Sequence, residues 1–391
     1  MARLLPFLPF LPFLPSLLCL SAFASADSSL LPTLPGARFD SAENPAAASS
    51  ATFAAGFTSE LGQAFGTQAI FNEPLRIRGY IRPEAGHVGD SADLFIVARI
   101  GDGFFMRANG GWAAWNGRVP DLQPWRSNVT LSEENTVDVF AGQIGAAGSY
   151  YVFLGYRTAD GVLRYTPNAQ QLDVAILATV NWQHDDAGWN VGGTPPDCPN
   201  PLLVTPVNLS RVTSILYPGQ TRGGDFKPHG GFRFDGPGQT NAEPAIAAMS
   251  GTVYRGVRYL QGGELQYLFD IIHPCGMMLR YDHLRELSPK FAAIADTLPP
   301  ATENTFTTLL SGYHVGAGEV VGTAIGFNGN VGVDFGVYDL RRPNGVTPAR
   351  GGELAPYAIC WFDELAPADA ARVRDLPAGD FASGSASDYC H

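Results

Sequence analysis

The residues able to carry chemistry in this chain are its cysteines, histidines and acidic side chains. Cys198, Cys275, Cys360 and Cys390 stand in the body of the chain, and Cys19 lies in its leading apolar run. No two form a C-x-x-C pair, so an even set in the body points to disulfides rather than to a thiolate metal site. Four cysteines allow three pairings. The expected one joins Cys360 to Cys390, stapling the C-terminal tail, and leaves Cys198 and Cys275 to tie the middle of the chain to its second half. The run His184-Asp185-Asp186 carries metal-competent atoms, but adjacent acidic residues in a Gly/Pro-rich stretch are ordinarily solvated. His273 and His314 belong to no motif and read as strand-end or loop residues. The aromatics Phe104, Phe105, Trp112, Trp115, Trp125, Tyr151, Phe153 and Tyr156 could stack on sugar rings. Alternate strand positions must fill an interior, however, so most of them are expected in a core.

The elements that would hold these residues are β-strands. With 45 Gly and 30 Pro the chain is turn-rich. Residues 1–26 place Arg3 before a long apolar run that ends in small residues at Ala24 and Ala26, the pattern of a secretory signal peptide cleaved before Asp27. Prolines interrupt that run, which argues against a permanent membrane span, and Cys19 lacks the small preceding residue of a lipidated cysteine. The mature chain is thus expected to be exported, periplasmic or extracellular, with no stable span. A net charge of -12 without a Lys/Arg run excludes a duplex nucleic-acid partner.

Residues 27–50 are small, polar and proline-containing and read as a linker. Over 51–180, short segments such as LRIRGYIRP, ADLFIVARI and SYYVFLGYR alternate with turn residues, which predicts an antiparallel β-sandwich. Asp160-Gly161 is a hairpin turn within it. Residues 181–204 read as a connector, 205–345 as a second β domain, and 346–391 as a tail. Helices are expected only over 364–376 and 288–298, where proline and alanine-rich runs suit a helix start.

Within the second domain five stretches stand in a telling order. They are His229-Gly230-Gly231, Ala248-Met249-Ser250-Gly251-Thr252-Val253, Tyr281-Asp282-His283-Leu284, the run Val315 to Gly322, and Gly332-Val333-Asp334-Phe335-Gly336-Val337. From about Thr205 to Leu340 the chain resembles the lysostaphin-type (LytM) zinc endopeptidases that cut peptidoglycan. That resemblance implies an antiparallel sheet with a groove across one face.

In that family two histidines and an aspartate hold zinc, and two more histidines position the attacking water and stabilise the oxyanion. Carried over, the resemblance makes His229 a ligand and His283 an accessory histidine. Arg233 stands where the aspartate ligand belongs, Gly332 replaces the other accessory histidine, and Asp334 replaces the last ligand. Arginine does not bind zinc. The implied reading is therefore a groove protein without a cofactor, in which Arg233 pairs with Asp334 in place of the metal and His229 is a remnant. It would bind peptidoglycan or an envelope protein without hydrolysing it. One alternative is an active zinc peptidase with the ligands His229, Asp235 and Asp334 and with His283 as the catalytic helper, since residues two apart on a strand share a face. A further alternative is an adhesion or structural β module.

Overall fold

The computed structural model describes residues 31, 33–39, 47–59, 64–70, 74–108, 110–175, 180–236 and 240–391. The signal-peptide reading of 1–26 lies outside the described residues. The fold is mostly β, with antiparallel pairing dominant.

In the first half a 13-stranded sheet runs in order from Asn135–Gln143 through Pro74–Arg82, Ala47–Thr58, Leu34–Phe39, Leu163–Tyr165, Gly148–Thr158, Ser91–Ile100 and Gly103–Ala108 to Gly111–Trp115. It folds over on itself: a Cβ on Gly79 would come within 2.6 Å of Leu154 and 2.7 Å of Val137. The interior holds Phe53, Phe57, Ile96, Val137, Leu154 and Tyr156, each from an inward alternate position. Among the aromatics, Trp125 and Tyr156 are core, whereas Trp112 is exposed. Phe104, Trp115 and Phe153 meet edge-on or tilted in a satellite cluster, not as a flat platform. The Asp160-Gly161 turn forms, with Gly161 at φ 77° and the Asp160 carboxylate accepting from Val162 N and Thr158 Oγ1.

The stretch 27–50, expected to be a linker, contributes strand Leu34–Phe39 and the start of Ala47–Thr58. Its small residues are the reason. Gly36 and Ala37 are buried, and a Cβ on Gly36 would lie 3.2 Å from the Phe53 ring, so smallness here marks a close strand approach. The connector likewise contains a hairpin, Asn181–Asp185 with Gly188–Gly192.

The second half is an 11-stranded sheet ordered Ser214–Leu216, Gly230–Arg233, Gly332–Asp339, Met277–Leu287, Glu264–Ile272, Gly251–Gln261 and Pro300–Ala301. One face carries the core: Phe232, Val253, Phe269, Ile271, Leu279, Tyr281, Val333, Phe335 and Val337. Helix Pro289–Ala295, capped by Ser288, and helix Pro367–Asp375 form where proline at the first turn predicts them. The tail is more than a stapled appendage. Trp361 is fully buried with its ring 5.0 Å from Phe232 and 5.1 Å from Phe335, and Leu365 and Val373 join the same core.

The opposite face presents Asp334, Gly336 and Tyr338, then Arg280 and Asp282, then Asp270, in strand register. One end is roofed, where Trp182 of the hairpin and Leu354 and Ala358 of the tail cover Ile272, Met278 and Tyr338. Under the roof Asp270, wholly buried, accepts from Arg255 Nε at 2.6 Å and from Arg280 Nε and Nη2, both at 2.8 Å. Glu353 of the tail pairs with the same Arg255. Both expected disulfides are formed, Cys198–Cys275 and Cys360–Cys390.

Beside the first disulfide lies a buried histidine. His273 Nδ1 accepts from Cys275 N at 3.0 Å, and burial pulls the imidazole down to about 4. The unfolded chain therefore takes this proton first as pH falls below 6.5. Stability contributed by His273 is complete above that value and is lost between there and about pH 4, by about 3 kcal/mol in order of magnitude. Denaturant titrations at pH 7 and pH 5 should show a drop that His273→Asn, which keeps an acceptor without a titrating ring, makes distinctly smaller. An equal drop in both proteins would assign the effect elsewhere.

Candidate functional site

His229, His283 and Asp334 come together on the second sheet. His229 ends the loop that enters strand Gly230–Arg233, and this strand pairs antiparallel with Gly332–Asp339 so that Gly231 stands opposite Asp334. A Cβ at 231 would come within 2.8 Å of Val333 O and 3.1 Å of Asp334 Oδ1. Glycine there is what lets the carboxylate lie across the neighbouring strand.

His283 arrives by a bulge. Strand alternation would send it into the core after the outward Asp282, but the pairing of Met277–Leu287 with Glu264–Ile272 slips between Tyr281 and Leu284. Tyr281 and Leu284 both remain fully buried, so two consecutive residues, Asp282 and His283, are turned to the face opposite the core. His283 takes φ 62°, a conformation that costs an ordinary residue roughly 1–3 kcal/mol. Local bonds hold it there: His283 N donates to Asp282 Oδ1 at 2.8 Å, and Gly326 N donates to His283 O at 2.6 Å.

The geometry centres on one oxygen. His229 Nε2 is 3.0 Å from Asp334 Oδ2, and His283 Nε2 is 3.7 Å from the same atom. All three side chains are largely buried. Burial by itself would raise the Asp334 carboxyl, but the His229 charge and hydrogen bond, then His283 and Arg222, overcome it and hold the group well below the usual carboxylate range. With His229 Nε2–H donating to Asp334, its Nδ1 is buried without a partner among the described residues.

A second tier fixes His283. Its Nδ1 is 3.2 Å from the Tyr259 hydroxyl, which donates to Asp282 Oδ1 at 2.6 Å, and Asn304 Nδ2 donates to the other Asp282 oxygen at 2.8 Å. Burial, with Asp282 next, pushes the Tyr259 phenol far above its ordinary range, so it acts as a fixed donor.

Arg233 does not pair with Asp334. Its guanidinium makes a two-point bond to Asp235, Nε to Oδ2 at 2.7 Å and Nη2 to Oδ1 at 3.0 Å. Sharing a strand face, which was the argument for letting Asp235 replace Arg233, is what lets the two residues clasp each other instead. The cation near Asp334 is Arg222, from the hairpin Gln220–Arg222 and Asp225–Lys227. It donates to His229 O at 3.0 Å and to Tyr217 O at 2.7 Å. Nothing in the sequence singled out Arg222, Tyr259 or Asn304: Arg222 folds back from seven residues before His229, Tyr259 lies 24 residues from His283, and Asn304 lies 22 from Asp282. Asp282 was visible only as the variable position beside His283.

A zinc ion of the lysostaphin type needs three side chains aimed at one point with their lone pairs free. Here Asp235 is tied to Arg233, and His229 Nε2 is spent on Asp334 itself. Among the described residues no group of three or more His, Cys, Asp or Glu is arranged to hold a metal ion. In this arrangement the positions that the resemblance makes ligands carry other bonds, Asp334 with His229 and Arg233 with Asp235. The other histidines lie apart. His184 rests edge-on against Trp189, Asp185 caps its own turn by accepting from Ala187 N, and His314 Nδ1 contacts Thr252 Oγ1 at 3.1 Å. No helix among the described residues is long and apolar enough to cross a membrane.

No family model matches the chain, and no curated protein matches it either. Among solved structures it is similar to a crystal structure of a zinc containing peptidase from Vibrio cholerae, at 12% identity over 75% of this chain and 82% of that one, with a TM-score of 0.20. A likeness that loose bears no weight on the site, which stands on its own residues.

Proposed function

We propose that this is an exported envelope protein whose second half is a non-hydrolytic relative of the lysostaphin-type endopeptidases, and that its groove binds a peptidoglycan peptide or an envelope partner. The observation that carries this reading is the closure of the former ligand positions on one another. Asp334 is engaged by His229, and Arg233 by Asp235. Such a cluster turns these side chains toward one another, and it presents a fixed carboxylate between two imidazoles on one face of the sheet, a set that suits polar peptide groups. Two disulfides support an oxidising compartment.

The test uses the purified mature protein. Metal analysis should find far less than one zinc per chain, and incubation with cell-wall sacculi should release no peptide fragments. The protein should co-sediment with sacculi, and Asp334→Asn, compared at a temperature where circular dichroism shows it folded, should weaken this about tenfold, the loss expected of one charge-assisted contact. Stoichiometric zinc with chelator-sensitive cleavage would replace this reading with the divergent zinc peptidase. Co-sedimentation indifferent to Asp334→Asn would favour an adhesion or structural module.

A further inference from the structure

A concavity lies away from the histidine cluster, between the connector hairpin and the second sheet. It is an open cleft of about 700 Å³, walled on one side by residues 180–184, on the other by 309–314, and floored by Thr252, Tyr254 and Ile272. No Asp, Glu, Lys or Arg lines it. In a chain of net charge -12 that is informative, because it removes ion pairing as the basis of recognition.

The polar groups that remain include Asn181, Gln183, His184, Thr252, Ser311 and His314, with amide, hydroxyl and imidazole side chains. Each can both donate and accept. That double capacity suits hydroxyl groups, which need a donor and an acceptor partner in close succession. His314 Nδ1 is engaged with Thr252 Oγ1 at 3.1 Å, which leaves Nε2 for a ligand. Leu309, Leu310 and Ile272 supply apolar wall, and the half-buried Tyr254 an aromatic one. This combination matches a ring with an apolar C–H face and a polar rim.

The 180–184 wall is held in place. Trp182 Nε1 donates to Pro274 O at 3.0 Å, Gly276 lies directly beneath the Trp182 ring, and the Cys198–Cys275 bond ties the connector to the same corner. A cleft preformed in this way loses little entropy on binding. We infer that the cleft between residues 180–184 and 309–314 is a binding site for a neutral oligosaccharide of two to three sugar rings, distinct from the groove around Asp334.

The test titrates the full mature protein with three neutral probes, cellotriose, maltotriose and tri-N-acetylchitotriose, and with the anionic trigalacturonate. Binding is followed by calorimetry and by ligand-observed NMR. At least one neutral probe should bind saturably and trigalacturonate should not. The exposed positions Gln183 and His314 allow variants with little risk to folding. Gln183→Ala and His314→Ala should each weaken binding about three- to tenfold, the loss of one neutral hydrogen bond. Ser311→Trp, which fills the cleft, should abolish it, whereas His229→Ala should leave it unchanged. Failure of all three neutral probes to bind overturns the inference, as does preference for the uronate or retention of binding in Ser311→Trp.

Discussion

Asp270→Ala is expected to destabilise the second half of the chain by roughly 3–5 kcal/mol, the range measured when one partner of a buried charge cluster is removed. Asp270 is wholly inaccessible, and burial alone would raise its carboxyl. Arg280 and then Arg255 overcome that and hold it below the ordinary carboxylate range. Removing the carboxylate leaves two guanidinium groups under the cover that Trp182, Leu354 and Ala358 form. Arg255 retains Glu353 of the tail, but Arg280 has only Asp270 among its hydrogen-bonded partners in the described residues. Urea unfolding followed by tryptophan fluorescence reads the effect directly, since Trp361 and Trp182 both lie in this half. Asp270→Asn, which keeps acceptor capacity on one oxygen, should recover only part of the loss. A change below about 1 kcal/mol would mean that water reaches the arginines, which is the behaviour of a surface ion pair.

The Cys198→Ala, Cys275→Ala double variant should lose about 4 kcal/mol, the loop-closure entropy released to the unfolded chain when a link between residues 77 apart is cut. The Cys360–Cys390 link spans 30 residues, so its removal should cost somewhat less. The first variant carries a structural signature too. Trp182 is held on Gly276 by that corner of the fold, so the hairpin it belongs to should become sensitive to protease cleavage between residues 181 and 192 well before the sheet unfolds. Uniform protection of the hairpin in the reduced or substituted protein would show that Trp182 packing alone fixes it.

Much of the scaffold was legible in the residue order. Alternating apolar segments and turn residues predicted a mostly β chain, and proline at a first helical turn predicted both longer helices. In the linker the composition misled. A short run of Gly, Ala and Ser has the same signature whether it is solvated or pressed against a neighbouring strand, and only the Phe53 ring over Gly36 distinguishes the two. In the tail, Trp361 and Phe362 were single apolar residues in an irregular stretch without a period. Their burial follows from where the chain returns, not from a local pattern.

The sequence by itself determined which side chains were available: His229, His283 and Asp334 in order along the chain, Arg233 four residues after His229, and four cysteines that allow three pairings. Tertiary structure decided which of them meet. A bulge after Asp282 turned His283 outward, a strand pairing placed Gly231 under Asp334, and same-face geometry joined Arg233 to Asp235 rather than to Asp334. Arg222, Tyr259 and Asn304 entered from segments with no motif of their own. The physical reason is that covalent order fixes distances only over a few residues. A charge cluster minimises its energy over whatever the folded sheet brings within hydrogen-bond reach, and register, bulges and crossovers set that reach.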